Sequence, residues 1–265
     1  MQKASRANIF YSSTQEEYYS RELIVQHNTL IHIRSGEMKV VAADRSYTFH
    51  AGDTILFPKD QLSKVTKYPL HGDPYNSIAI YFPQEVLEKY YTAQVEIKRG
   101  TPKINVLKPH PLLESLFDSL LPYFNLSEAL PEDIAANKVQ EALNILRTLD
   151  KDVDAILHHF AAPGKIDLFD FMQKNYMFNL PMERFGYLTG RSLTSFKRDF
   201  QKTFGTTPQK WLTQKRLEQA HYLIYEKKQR PVDVYFEVGF ANLSHFSFTF
   251  KKFFGYTPSG HTLIK

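Results

Sequence analysis

The chain has 265 residues, with 21 Phe and 16 Tyr, enough length and core-forming side chains for two domains. It has no cysteine, which excludes disulfides and thiolate metal sites and is compatible with a reducing cytoplasm. The net charge of +5 is unevenly spread: residues 165–265 carry sixteen Lys and Arg against eight Asp and Glu, which leaves −3 for residues 1–164.

That balance predicts a polyanionic partner for the C-terminal part alone. No apolar run of signal-peptide type opens the chain, and no uncharged stretch reaches transmembrane length. The expectation is a soluble cytoplasmic protein without a membrane partner. Up to about residue 100 the text is strand and turn. Segments 30–34, 38–42, 46–50, 54–57 and 76–82 are short and rich in β-formers. Turn signals separate several of them: Ser35-Gly36-Glu37, Ala43-Asp44-Arg45, Ala51-Gly52-Asp53 and Pro58-Lys59-Asp60. Such spacing predicts a small barrel or sandwich.

The period then changes. Segments 111–124 and 131–149 place apolar residues at helical spacing, each with a proline at its start, and 152–160 reads as a further helix or a continuation. Ala161-Ala162-Pro163-Gly164 breaks the pattern, and everything after it reads as helix. The predicted class is α+β, with a β-barrel or sandwich over 1–105, a helical connector over 106–162 and an all-α domain over 163–265.

Within the last hundred residues the chain repeats itself. The segment Ser195-Phe196-Lys197-Arg198-Asp199-Phe200 and its continuation through Pro208 recur fifty positions later, from His245 to Pro258. Seven pairs are identical: Phe196/Phe246, Phe200/Phe250, Lys202/Lys252, Phe204/Phe254, Gly205/Gly255, Thr207/Thr257 and Pro208/Pro258. One supersecondary unit is therefore used twice. In each copy a leucine and three phenylalanines step by three, four and four, which lays them on one helix face. Gly205 and Gly255 stand where a helix ends in a left-handed residue, and Thr-Pro restarts one. Upstream, segments 181–188 and 231–238 are short helical stretches ending in a glycine turn. A short helix, a glycine turn and a longer helix make a helix-turn-helix. The helix from 208 to about 226 joins the two units, with a stripe of Trp211, Leu217, Ala220 and Ile224, and with Lys210, Lys215 and Arg216 elsewhere around it.

Arg216-Leu217-Glu218-Gln219-Ala220, Glu237-Val238-Gly239-Phe240, Ser244-His245-Phe246, Phe250-Lys251-Lys252-Phe253-Phe254-Gly255 and Thr257-Pro258 together resemble the signature of the AraC/XylS family. The resemblance covers roughly residues 165–262. It implies a bacterial transcription regulator, usually an activator, that binds double-stranded promoter DNA through two helix-turn-helix units and acts on RNA polymerase. The family's base-reading positions correspond to Thr194, Lys197 and Arg198. On the wheel of the first recognition helix Thr194, Ser195, Arg198 and Lys202 lie opposite the buried stripe, with Lys197 at its flank. Arg198 can donate a bidentate pair to guanine, and Lys197 can reach guanine or phosphate. In the second helix Ser244, His245, Phe248 and Lys252 hold the outer face and Ser247 its flank. Phe248 takes the place of Arg198, and either touches a thymine methyl or packs on a neighbouring helix. Asn242 and Lys251 are candidate backbone contacts.

Gly36-Glu37 and Gly52-Asp53, with Tyr47-Thr48-Phe49 between them, look like the cupin-type sensing domain common in that family. A metal-dependent cupin enzyme would need His-x-His on one strand with a nearby carboxylate. No His-x-His occurs among His27, His32, His50 and His71 or elsewhere, so neither a metal nor any other cofactor is expected, and no enzyme. A barrel without metal can still hold a small effector. The candidates are His32, Arg34, Met38, Tyr47, Phe49 and Phe57, with the inward face undecided. A protein partner docking on the barrel is the alternative mode of control. The resemblance also implies a homodimer through the helices at 111–149. Leu112, Leu113, Leu116, Leu120, Val139, Leu143 and Leu146 either supply that interface or cap the barrel.

Overall fold

A computed structural model describes residues 2–6, 8–19, 24–43, 45–91, 103–124, 131–158 and 163–260. The contacts divide the chain into two compact units, 1–160 and 161–265. Asp44 in one predicted turn, and residues 159–162 at the predicted boundary, lie outside the described residues.

The N-terminal unit is built from antiparallel strands in two sheets. The larger contains β1 (Gln2–Arg6), β2 (Ile9–Thr14), β4 (Asn28–Ser35), β7 (Thr54–Phe57), β9 (Tyr75–Phe82) and β10 (Asn105–Leu107), in the order β1-β2-β9-β4-β7-β10. The smaller contains β3 (Tyr18–Tyr19), β5 (Glu37–Ala42), β6 (Ser46–His50) and β8 (Ser63–Tyr68), in the order β3-β8-β5-β6. Alternation along the strands separates two cores. Ile33 and Ile55 join Met38, Val40, Phe49, Phe57 and Tyr75 in a core shared by both sheets. The intervening residues Leu30 and Leu56 face the other way, with Ile78 and Ile80, against helices. β7 is therefore buried at all four positions, which explains its unbroken apolar run.

The helices are α1 (Gln84–Tyr90), α2 (Pro111–Phe124), α3 (Glu132–Leu149) and, after a turn of 3-10 helix, α4 (Asp154–Leu157). Leu113, Leu116, Leu120, Val139, Leu143 and Leu146 are all buried in the same core as Leu30 and Leu56. The leucine stripe considered for dimerisation is thus consumed inside the unit as a cap on the sheet. Of that set only Leu112 is exposed. Burying one such side chain is worth about 1.5–3 kcal/mol, so these leucines cannot also serve an interface without loss of the cap.

The C-terminal unit is helical: α5 (Leu168–Asn175), α6 (Met182–Leu188), α7 (Leu193–Phe204), α8 (Pro208–His221), α9 (Pro231–Glu237) and α10 (Leu243–Phe254), with a π-helical turn over Tyr222–Glu226 extending α8. Phe196 and Phe200 of α7, and Phe246 and Phe250 of α10, are fully buried. Both helices end as predicted, on Gly205 and Gly255 in the left-handed conformation. The long linker departs from the single-stripe expectation. Its N-terminal half buries Trp211 and Leu212, whereas Leu217 and Ala220 in its second half join the core around Phe246 and Phe250. The indole of Trp211 lies 5.7 Å from Phe200 and 4.7 Å from Phe204, between ring centroids. One helix serves two cores, so its apolar residues spread around it.

Candidate nucleic-acid interface

Each recognition helix is set by its own cap. Ser192 precedes α7 in extended conformation and accepts a hydrogen bond from the Ser195 backbone N–H at 3.3 Å. Asn242 plays the same part for α10, accepting from the His245 N–H at 2.8 Å. Such caps satisfy amide donors that the first helical turn leaves unpaired. Asn242 is exposed, and its side-chain oxygen accepts the cap hydrogen bond.

With the phenylalanine stripes buried, the outer face of α7 presents Thr194, Lys197, Arg198 and Lys202 to solvent, while Ser195 is half-buried beside the cap. The Arg198 side chain is 74% exposed and touches only the edge of its neighbour Asp199, at 3.4 Å. Asp199 is the anchor of a structural cluster. It accepts from Arg191 Nε at 3.1 Å and lies 3.4 Å from Lys165 Nζ. The hydrogen bond from Arg191, helped by Lys165 and Arg198, holds its carboxyl below the usual carboxylate range. Arg191 also donates to the backbone oxygens of Ile166 and Thr189, at 3.0 and 2.7 Å. Arg191 therefore builds the turn before α7, whereas Lys197, Arg198 and Lys202 remain available to a polyanion.

On α10, Ser244, His245, Phe248, Lys251 and Lys252 are exposed and Ser247 is half-buried. Phe248, at 69%, is the most exposed large apolar residue in the described chain. Lys252 stands in the same place as Lys202 by the fifty-residue repeat.

Within the C-terminal unit the linker helix is tied to the segment leading into the first helix-turn-helix by a residue whose role the sequence did not reveal. Arg216, placed off the apolar stripe of the linker, is 8% exposed. It donates from Nε to the Tyr176 carbonyl and from Nη2 to the Phe178 carbonyl, both at 2.8 Å. Burial lowers its pKa to about 10, so it stays cationic at neutral pH. Gly239, in the turn before α10, has φ +97, and a Cβ there would come within 2.6 Å of the Met177 carbonyl and 3.0 Å of Arg216 Nε. The turn and the arginine are fitted to each other.

The N-terminal unit holds a cavity of about 470 Å³. Met38 and Phe57 line it, as expected of effector-binding candidates. The other four candidates do not. Phe49 packs in the core with Tyr47 against it. His32 and Arg34 project from the opposite face of β4, because alternation sends residues 32 and 34 away from Ile31 and Ile33. His32 Nδ1 lies 2.9 Å from Thr54 Oγ1 and its ring stacks on Phe117 of α2, 4.8 Å between centroids. Arg34 pairs with Asp118 at 2.6 Å. The sequence missed the polar lining: Lys67, whose Nζ donates to Ser12 Oγ at 2.9 Å and sits 5.1 Å from the Tyr75 ring centre, as well as His27, Tyr18 and Tyr81. Among the described residues no group of three or more potential ligands could hold a metal ion, and no helix is long and apolar enough to cross a membrane.

Comparison with known proteins gives two family matches: a helix-turn-helix domain over residues 188–261 and the ExsA N-terminal regulatory domain over residues 28–154. The virulence regulon transcriptional activator VirF of Yersinia enterocolitica is 28% identical over 189 residues, 69% of each chain. The HTH-type transcriptional regulator ExsA of Pseudomonas aeruginosa is 24% identical over 229 residues, covering 84% of this chain and 82% of its own. Among solved structures, ToxT from Vibrio cholerae aligns over 95% of both chains with 14% identity and a TM-score of 0.43.

Proposed function

We propose that the chain is a transcription regulator of the AraC/XylS type, as its helix-turn-helix and ExsA-type N-terminal matches and its regulator relatives support, that it binds promoter DNA through α7 and α10, and that its N-terminal unit governs that binding. The observation that carries this reading is the duplicated scaffold. Two helices are buried through matched phenylalanines and turn to solvent a polar, cationic face on α7 and a mixed face with two lysines on α10. A recognition helix of this kind lies in the major groove, and two of them suit groove segments about one helical turn apart. Arg198 reads a guanine edge, Lys197 a guanine or a phosphate, and Thr194 and Ser195 lie beside them. Lys202, Lys251 and Lys252 take phosphates, with Ser244, His245 and Ser247 completing the second face.

The N-terminal unit is assigned to effector sensing, and the 470 Å³ cavity favours a small molecule over a docked protein. Binding of the effector shifts the population of DNA-competent states. Transcriptional activation through RNA polymerase in the cytoplasm is the outcome we assign, supported by the activator that the chain resembles. No catalytic role is assigned, since the relatives named above are all regulators. A homodimer remains part of the proposal, but assembled through a surface other than the buried leucines of α2 and α3.

Selection of bound duplexes from a random pool by the full chain tests the reading. Enrichment of a motif in two parts about one turn apart is expected. Salt-sensitive binding without any enriched motif would contradict it. Thermal shifts of the full chain against a metabolite panel separate the two modes of control. A stabilising small molecule supports the cavity, and its failure to alter DNA affinity would overturn the effector role.

A further inference from the structure

The fifty-residue repeat makes α7 and α10 directly comparable, and at one position the comparison is informative. Arg198 and Phe248 occupy the same place on the two helices, at the centre of the outer face. A guanidinium there needs no explanation. A phenylalanine, 69% exposed, is ordinary as a single surface ring, and its interest lies in standing where the first helix carries that guanidinium.

The surroundings of Phe248 narrow the choice of what covers it. One turn back on the same helix face are Ser244 and His245, and one turn ahead are Lys251 and Lys252, all four exposed. The next exposed apolar residues on this helix, Leu243 and Phe253, are each five positions away. At 3.6 residues per turn that places them about 140° around the axis, off the face that Phe248 occupies. Phe248 is thus a single apolar point within a polar and cationic field. A protein partner would call for a contiguous apolar patch. A major groove offers the complementary pattern: phosphates for the lysines, and one small apolar group, the C5-methyl of thymine, among polar base edges.

We propose that Phe248 is the specificity-determining residue of the second half-site and that it selects thymine through the C5-methyl, while Arg198 selects guanine in the first. This rests on the DNA-binding reading above. The two half-sites are then read by different chemistry from one scaffold: a hydrogen-bonded, charge-assisted contact in one, an apolar contact in the other.

The test uses the full chain and a duplex obtained by random-pool selection. Each thymine is replaced in turn by deoxyuridine, which removes the methyl and leaves every hydrogen-bonding group of the base in place. For the unaltered chain one replacement in the second half-site should weaken binding about fourfold, the worth of one buried methyl-sized group. Phe248→Ala should bind the parent duplex more weakly and be indifferent to that replacement, whereas Phe248→Leu should keep the sensitivity. Phe248 is exposed, so both variants should unfold at the temperature of the unaltered chain. Selection that yields no thymine in the second half-site overturns the proposal. So does a uracil effect that survives Phe248→Ala, or a Phe248→Ala variant that binds DNA as the unaltered chain does; the last outcome would point to a protein surface. In each of those cases DNA recognition itself stands. Failure of the full chain to select any duplex would overturn both readings together.

Discussion

The two helix-turn-helix units share an inner face and differ on the outer one. Phe196 and Phe200 match Phe246 and Phe250, all four fully buried, and each recognition helix ends on the same Gly-x-Thr-Pro sequence. Outside, Lys197 and Arg198 face Ser247 and Phe248 across the repeat. The inner face is constrained by packing, where a change of even one methylene is felt. The outer face is constrained only by what it touches. A duplicated scaffold can therefore keep its fold and let its two reading faces diverge.

The comparison predicts equal effects inside and unequal effects outside. The largest should come from the core: Phe200→Ala and Phe250→Ala each remove a fully buried ring and should cost about 3–5 kcal/mol. Urea unfolding of the two variants checks this, and a clear inequality would show that the units are not equivalent scaffolds. Arg216→Met should cost about 3 kcal/mol, since it leaves the Tyr176 and Phe178 carbonyls buried without their donors. Its loss should weaken binding at both half-sites, by loosening the linker, rather than at one.

Smaller effects belong to the outer face. Arg198→Ala should cost about 1–3 kcal/mol of binding and relax preference at one base pair. Lys202→Ala should weaken all sequences alike and lower the salt slope by about 1. Competition binding at several salt concentrations distinguishes these, and a base-specific loss for Lys202→Ala would contradict its phosphate role. The smallest effect lies outside the repeat. Burial, and then the neighbouring Arg34, lower the pKa of His32 from 6.5, against the opposing pull of Asp118, Glu114 and Asp53. The unfolded chain therefore takes up a proton that the folded unit refuses. Stability of the N-terminal unit should fall as pH drops below about 6.5. His32→Gln should flatten that dependence, and an unchanged slope would remove His32 as its source.

Much of this was legible in the sequence because two periods carried it. The phenylalanine steps of three and four, the left-handed glycines and the Thr-Pro restarts fixed the helical unit without reference to anything distant. The strands at 30–34, 38–42, 46–50, 54–57 and 76–82 likewise followed from β-rich runs between turns. Other features depended on partners far away in sequence. β8 escaped notice because Lys64 and Lys67 interrupt its apolar pattern, and both are half-buried in the fold. Alternation left the inward face of β4 undecided, and could not tell that the face of His32 and Arg34 meets α2 while Ile31 and Ile33 face inward. The burial of Arg216 was not legible, because the carbonyls that hold it lie about forty residues upstream. The leucines of α2 and α3 suited a dimer seam and a sheet cap equally well, and only the packing against Leu30 and Leu56 assigned them to the cap.

The most direct measurement is random-duplex selection repeated with the full chain and with Arg198→Ala. If two equivalent scaffolds carry separate reading faces, the variant should lose base preference at one position of the first half-site and keep the second half-site and the spacing unchanged. Loss of both half-sites together, or of neither, would contradict the account.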